Sequence, residues 1–240
     1  MSQSLLRTLV LLSALALSAC ALRLGGPRPV ELDVIALAEP RAADAAAVAG
    51  KITSAGAEIV LLAAERQDTA WFAAVAANAR LELSGPGATT GRGYAFMTNL
   101  EILGDTTLVL NVPGGGSVHM HDALYRIDDS RNIDLMLVSL QGPDLRAAVR
   151  TLLDYIATDV PADAPLLLAF DGPTPARADS AAVMVRATIA NASECREDPA
   201  AAQPAVRLLY GPSARVRCLA AQNVTGAQTG ITARLEVGRW

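Results

Sequence analysis

The stretch Ile133–Pro175 restricts the fold of this chain more than any other. Ile133–Leu140 is a short apolar run with polar residues on both sides, the pattern of a buried strand. Across Asp144–Ile156, the residues Leu145, Ala148, Val149, Leu152, Leu153 and Ile156 recur at helical spacing on one face. Pro143 stands where the first turn would begin, a position at which its missing N–H costs nothing. Pro165–Phe170 is a second apolar run, closed by Asp171-Gly172-Pro173. Strand, helix and strand in this order make a parallel βαβ unit. Chemistry on such units sits beyond the carboxyl ends of the strands, which singles out Gln141 and Asp171.

Length and composition narrow the class. The chain has 240 residues, 52% of them hydrophobic, with a net charge of −4. That is a globular composition. It offers no broad basic surface, so no nucleic-acid partner is expected.

The first residues read as a processing signal. Arg7 supplies a positive n-region and Leu9–Leu17 an apolar run too short to span a bilayer. Leu17-Ser18-Ala19-Cys20 then resembles the lipobox of bacterial lipoproteins. The resemblance implies a signal peptide over 1–19, lipidation of Cys20 and a tether over 20–30. It also implies a location in the bacterial cell envelope, held to the membrane by the lipid. Ala21 after the Cys favours the outer membrane, facing the periplasm. Two or more acyl chains anchor stably where one does not. The other cysteines, Cys195 and Cys218, form an even pair outside the cytoplasm, and a Cys195–Cys218 disulfide is expected.

Further along, Glu31–Leu37 and Glu58–Ala63 read as strands. Between them a helix opened by Pro40 carries Ala45, Val48, Ala49 and Ile52 on one face, with Gly56 as its C-cap. Asp68–Ala79 reads as another helix. Gly85–Gly93 reads as a loop, followed by strands at Tyr94–Thr98, Thr107–Val112, Val118–Ile127 and Ile133–Leu140, with Pro113–Gly116 as a tight loop. Ala182–Ile189, Ala205–Tyr210, Arg215–Leu219 and Thr229–Val237 read as strands as well. His119 and His121 share one face of their strand and read as polar residues of a solvated face, or as a metal pair lacking a third ligand. Asp128, Asp129 and Asp134 read as a charged, solvated turn.

The order of these elements, over residues 31–238, resembles the endonuclease/exonuclease/phosphatase superfamily, the DNase I-like fold. AAVAGKITSAGAEIVLLAAE resembles the helix and strand leading to the family's D-V-V-x-L-Q-E. GRGYAFMTNLEI resembles its G-x-G-x-A-I-L-S-R hairpin. LMLVSLQGPDLRAAVRTLLDYI resembles V-x-N-x-H-L…R-x-x-Q-x-x-x-L. PLLLAFDGPT resembles P-x-I-L-x-G-D-F-N, and GAQTGITARLEV resembles S-D-H-x-P-V-x-A-x-L. The resemblance implies an α+β fold, a four-layer α/β/β/α sandwich. It implies Mg²⁺ or Mn²⁺ on hard oxygen ligands.

Carried over residue by residue, the metal-binding carboxylates are Glu65 and Asp171, as vestiges or as a weak cation site. The family's Asn positions fall on Ala38 and Pro173, its strand His on Gln141, and its closing Asp-His on Gln228-Thr229. Since the chain has only two His, His119 and His121, no shift of register restores the last imidazole. Gln and Thr cannot handle a proton at neutral pH. No catalytic residue is assigned. The expectation is a lipid-anchored binding or structural module on a decayed catalytic scaffold, with an envelope protein or an unidentified ligand as partner. The alternative is a metal-dependent phosphodiesterase or phosphatase with a rearranged site.

Overall fold

A computed structural model describes residues 28–39, 43–65, 68–89, 92–161, 164–171, 174–189, 191–196, 206–212, 215–224 and 230–238. The expected signal peptide, Cys20 and most of its tether lie outside these residues, as do Pro40, Pro173, Gln228 and Thr229.

Two six-stranded sheets face each other. Sheet A contains β1 (Val30–Glu39), β2 (Ile59–Ala64), β3 (Leu83–Thr89), β4 (Arg92–Thr98), β11 (Val216–Asn223) and β12 (Gly230–Val237), in the order β11-β12-β1-β2-β4-β3. Sheet B contains β5 (Glu101–Asn111), β6 (Ser117–Asp128), β7 (Arg131–Gln141), β8 (Leu166–Asp171), β9 (Ser193–Cys195) and β10 (Val206–Gly211), in the order β5-β6-β7-β8-β10-β9. Each sheet has one parallel pair, β1 with β2 and β7 with β8. Helix α1 (Ala45–Ala55) makes the first crossover and α3 (Leu145–Asp159) the second. Helices α2 (Thr69–Ala79) and α4 (Pro175–Thr188) complete the outer layers. This is the α/β/β/α sandwich expected.

Alternation along the strands sorts the core into three layers. Ala36, Leu61, Phe96, Leu135, Leu137 and Ala169 meet between the sheets. Ile35, Val60 and Leu62 point outward and pack under α1 and α2, against Val48, Ile52, Trp71, Phe72 and Val75. Met136, Val138, Leu168 and Phe170 pack under α3 and α4. Strands β2, β7 and β8 are covered on both faces and therefore read as continuous apolar runs.

Helix starts follow from short acidic caps: the Asp44, Asp68 and Asp144 side chains accept from Ala47, Trp71 and Ala147 N–H. Gly56, at φ 64°, closes α1 as expected. Pro143 precedes the N-cap Asp144 instead of opening the first turn.

Two expected elements take another form. Ala182–Ile189 is not a strand but the end of α4, whose Ala178, Ala181, Ala182 and Val185 are buried at helical spacing. Val183-Met184-Val185 resembles a strand only when read locally. Gly85–Gly93 is not a loop: residues 85–89 belong to β3, which pairs with β4 across a bulge between Ser84 and Gly87. As an edge strand, β3 tolerates Pro86.

The expected disulfide is present. Cys195 and Cys218 are joined with Cα atoms 5.7 Å apart. They lie on β9 and β11, the edge strands on one side of the two sheets, so the bridge ties sheet to sheet. No helix among the described residues is long and apolar enough to cross a membrane.

Candidate functional site

The carboxyl ends of both parallel pairs open at the same end of the sandwich, and their inward-facing residues form its mouth. Strand β1 contributes Ala38, which packs against the central core. The β2–β4 register runs Ala63↔Tyr94 and Ala64↔Gly93, so the next step places Glu65 opposite Arg92. From sheet B, Asp171 of β8 lies beside Ser139 of β7, and Ser139 beside His119 of β6. His119, Ser139 and Asp171 thus form one row across three strands on the inner face.

Arg92 spans the gap between the sheets. Its Nη1 donates to Asp171 Oδ2, and its Nη2 lies 3.7 Å from Glu65 Oε1. The Asp171 side chain is wholly inaccessible to solvent. Burial pushes its carboxyl up from the ordinary range, with Arg92 opposing it. On the guanidinium, burial alone would lower the pKa, yet the bond to Asp171 and that residue's charge outweigh it and raise the value. The pair is an interlayer salt bridge at the floor of the mouth, with Glu65 as the outer, more exposed acid.

The remaining polar groups are held by neighbours. Gln141 Nε2 donates to Ser139 Oγ at 2.8 Å. His119 Nε2 shares a 2.5 Å hydrogen bond with Ser117 Oγ. His121 Nδ1 lies 2.8 Å from Thr107 Oγ1, and its ring meets Phe96 edge-on at 4.7 Å. Burial lowers both imidazole pKa values and favours the neutral rings. The rim is fixed by a close backbone approach: a Cβ on Gly116 would stand 2.4 Å from the Gln141 carbonyl oxygen, and one on Gly142 would stand 2.6 Å from Gly116 Cα. Both glycines have positive φ, 110° and 103°.

Glu65 and Asp171, 106 positions apart in the chain (171 − 65), are therefore brought to one guanidinium. Gln141 ends β7 at the same mouth. The histidines do not lie on a solvated face. At 8% and 1% exposure they point into the sandwich, because odd-numbered residues of β6 share the face of Ala123 and Tyr125. Asp134 is also buried instead of solvated, on the face of sheet B that the helices cover. Arg92 was not legible as a site residue. Its only signal is parity, two residues before Tyr94 on the inward face of β4.

These groups do not fit a hard divalent ion. Mg²⁺ and Mn²⁺ require several oxygen ligands free of competing cations. Here the guanidinium already binds the buried carboxylate, and a metal ion beside it would meet like charge. Among the described residues, no group of three or more His, Cys, Asp or Glu is spaced to hold a metal.

No family model and no curated protein matches the sequence. Solved structures do match in shape. An endonuclease/exonuclease/phosphatase from Bacteroides vulgatus superposes with a TM-score of 0.64 at 11% identity, covering 87% of this chain and 99% of its own. A functionally unknown conserved protein from Enterococcus faecalis V583 gives 0.65 at 12% identity, with 86% and 100% covered. D. rerio TDP2, humanized by 14 mutations, gives 0.60 at 14% identity, with 85% and 98% covered. At such identities the likeness establishes the architecture alone. The element order, the two facing mixed sheets and these neighbours together show that the chain has the endonuclease/exonuclease/phosphatase, DNase I-like fold.

Proposed function

We propose that this protein is a lipid-anchored envelope protein whose phosphodiesterase-type scaffold works as a binding or structural module, not as a hydrolase. The observation that carries this reading is the Arg92 guanidinium lying against both Asp171 and Glu65. In the family pattern those two acids serve a metal ion; here a side chain of the protein supplies the positive charge. A guanidinium neutralises carboxylates, but it cannot lower the pKa of a bound water as a metal ion does. Ala38 and Gln141 stand where an amide and an imidazole are expected, and neither replaces the missing proton chemistry.

The test is hydrolysis of bis(p-nitrophenyl) phosphate by the full chain with Mg²⁺ or Mn²⁺. The expected result is no turnover above the metal-only blank, with Glu65→Ala indistinguishable from wild type. Metal-dependent turnover that disappears in Glu65→Ala would overturn the reading. Anchoring is tested separately: Cys20→Ser should abolish incorporation of labelled palmitate and release the protein from membranes.

A second reading, a hydrolase with a rearranged site, draws on one observation. His119 lies in the same cross-strand row as Ser139 and Asp171. Under that reading the same assay gives turnover that is lost in His119→Ala.

A further inference from the structure

At the opposite end of sheet B, on its helix-covered face, is a cavity of about 600 Å³. Asp134 and Asp171 are five residues away from each other along the β7–β8 ladder, roughly 17 Å at strand rise, so the cavity is separate from the mouth. Its wall includes Asp105, Asp122, Asp134 and Asp159 and, among the described residues, no basic side chain. Leu124, Pro161 and Pro165 supply apolar wall. An apolar groove of about 370 Å³ between α3 and α4 continues from it through Pro161 and Ala164.

Two of the acids are cross-strand neighbours. The register Asp122↔Met136 and Leu124↔Asp134 sets Asp122 and Asp134 diagonally on one face of β6 and β7. Tyr155 of α3 donates to Asp122 Oδ2 at 2.8 Å. Asp134 is 7% exposed, and its Oδ1 finds no hydrogen-bond donor among the described residues. A carboxylate desolvated in this way is costly unless it is paired. Burial first, then the adjacent Asp122, push the Asp134 carboxyl up to about 8. At neutral pH Asp134 is therefore held protonated beside Asp122.

Arg126, diagonal to Asp134 on the same face of β6 and β7, is engaged by Glu101 at 2.7 Å; the other charged groups lining the cavity among the described residues are acidic. Asp159 ends α3, and burial together with Asp122, Asp159 and Asp134 raises the Tyr155 hydroxyl, which remains a donor. Asp105 comes from β5. His121 feels Asp105, its diagonal neighbour on the inner face, and Asp122 through the sheet, and burial favours its neutral ring.

We propose that this cavity binds an organic cation, a primary ammonium or guanidinium on a short apolar stem, whose head sits between Asp122 and the unpartnered Asp134 Oδ1. The stem lies along Leu124, Pro161 and Ala164. The site does not depend on the proposed loss of catalysis at the mouth. Binding ionises Asp134, so a proton passes to the buffer as the cation enters.

Isothermal titration of the full chain with hexylammonium at pH 7, in two buffers of different ionisation enthalpy, tests this. The expected result is saturable binding with release of up to one proton per molecule, and no binding of 1-hexanol at the same concentrations. Asp134→Asn keeps the shape of the neutral acid. It should bind at least about tenfold more weakly, the loss expected for one charge-assisted hydrogen bond, and should release no proton. Tyr155→Phe leaves both acids in place and should still release the proton. The proposal falls if no saturable heat appears, if 1-hexanol binds equally, or if Asp134→Asn binds with unchanged affinity and proton release. It also falls if millimolar Mg²⁺ displaces hexylammonium, which would make the cavity a metal site.

Discussion

At the mouth of the sandwich, Glu65 and Asp171 close on one guanidinium, whereas at the far end of sheet B, Asp122 and Asp134 lie side by side in a cavity that no basic side chain among the described residues lines. Both ends bury a carboxylate on β7 or β8, and both must avoid an uncompensated charge. The mouth does so with a permanent cation from the other sheet. The far end does so with a proton, which can be exchanged. A permanent cation fixes the electrostatics at any ordinary pH, while a proton leaves the site responsive to pH and to competing cations. The same fold therefore has one acid pair that is locked and one that is open to exchange.

Breaking the locked end should have the largest effect. Arg92→Ala strands Asp171 in the interior and should cost about 3–5 kcal/mol, read as a lower urea midpoint. Adding Asp171→Asn to that variant should recover most of the loss. An unchanged midpoint for Arg92→Ala would remove the distinction between the two ends.

The exchangeable end predicts a pH slope. Asp134 keeps its proton in the folded chain up to about pH 8, while the unfolded carboxyl loses it near 3.8. Across that window the folded state binds more protons, so stability falls as pH rises from 4 to 8 and levels off above. Asp134→Asn should flatten this slope and stabilise the chain at pH 8 by several kcal/mol relative to wild type, measured by urea unfolding across pH. A wild-type slope that survives the substitution would place the proton elsewhere.

Tyr155→Phe should have the smallest effect, about 1.5–2 kcal/mol for a lost hydrogen bond to a carboxylate. It should also sharpen the contrast. Without that donor the charged form of the pair loses support, and the carboxyl resonances should titrate at higher pH by NMR.

The contrast between the ends also marks what a sequence can disclose. The β7–α3–β8 unit was legible because burial on both faces writes itself as unbroken apolar runs, and α3 writes its buried stripe as Leu and Val at helical spacing. Helix α4 was not, because its stripe is mostly alanine and the local run Val183-Met184-Val185 is β-branched at both ends. Glu65 and Asp171 could be placed by motif. Arg92 could not, since its partner lies 79 residues away on the other sheet, and nothing local requires an arginine there. Asp134 looked like a turn residue because the helix-covered face of sheet B that buries it is assembled only by tertiary packing.

The bridge between Cys195 and Cys218 leaves the molecule covalently stitched along only one margin. Strands β3 and β5 on the opposite margin have no such stitch, so the layers can part there as pages do away from a binding. Residual opening under mild denaturant should expose β5 amides to exchange first and those of β9 and β11 last. The strands of the acid pair, β6 and β7, stand nearer the loose margin than the stitched one, so their amides should exchange after those of β5 and before those of β9.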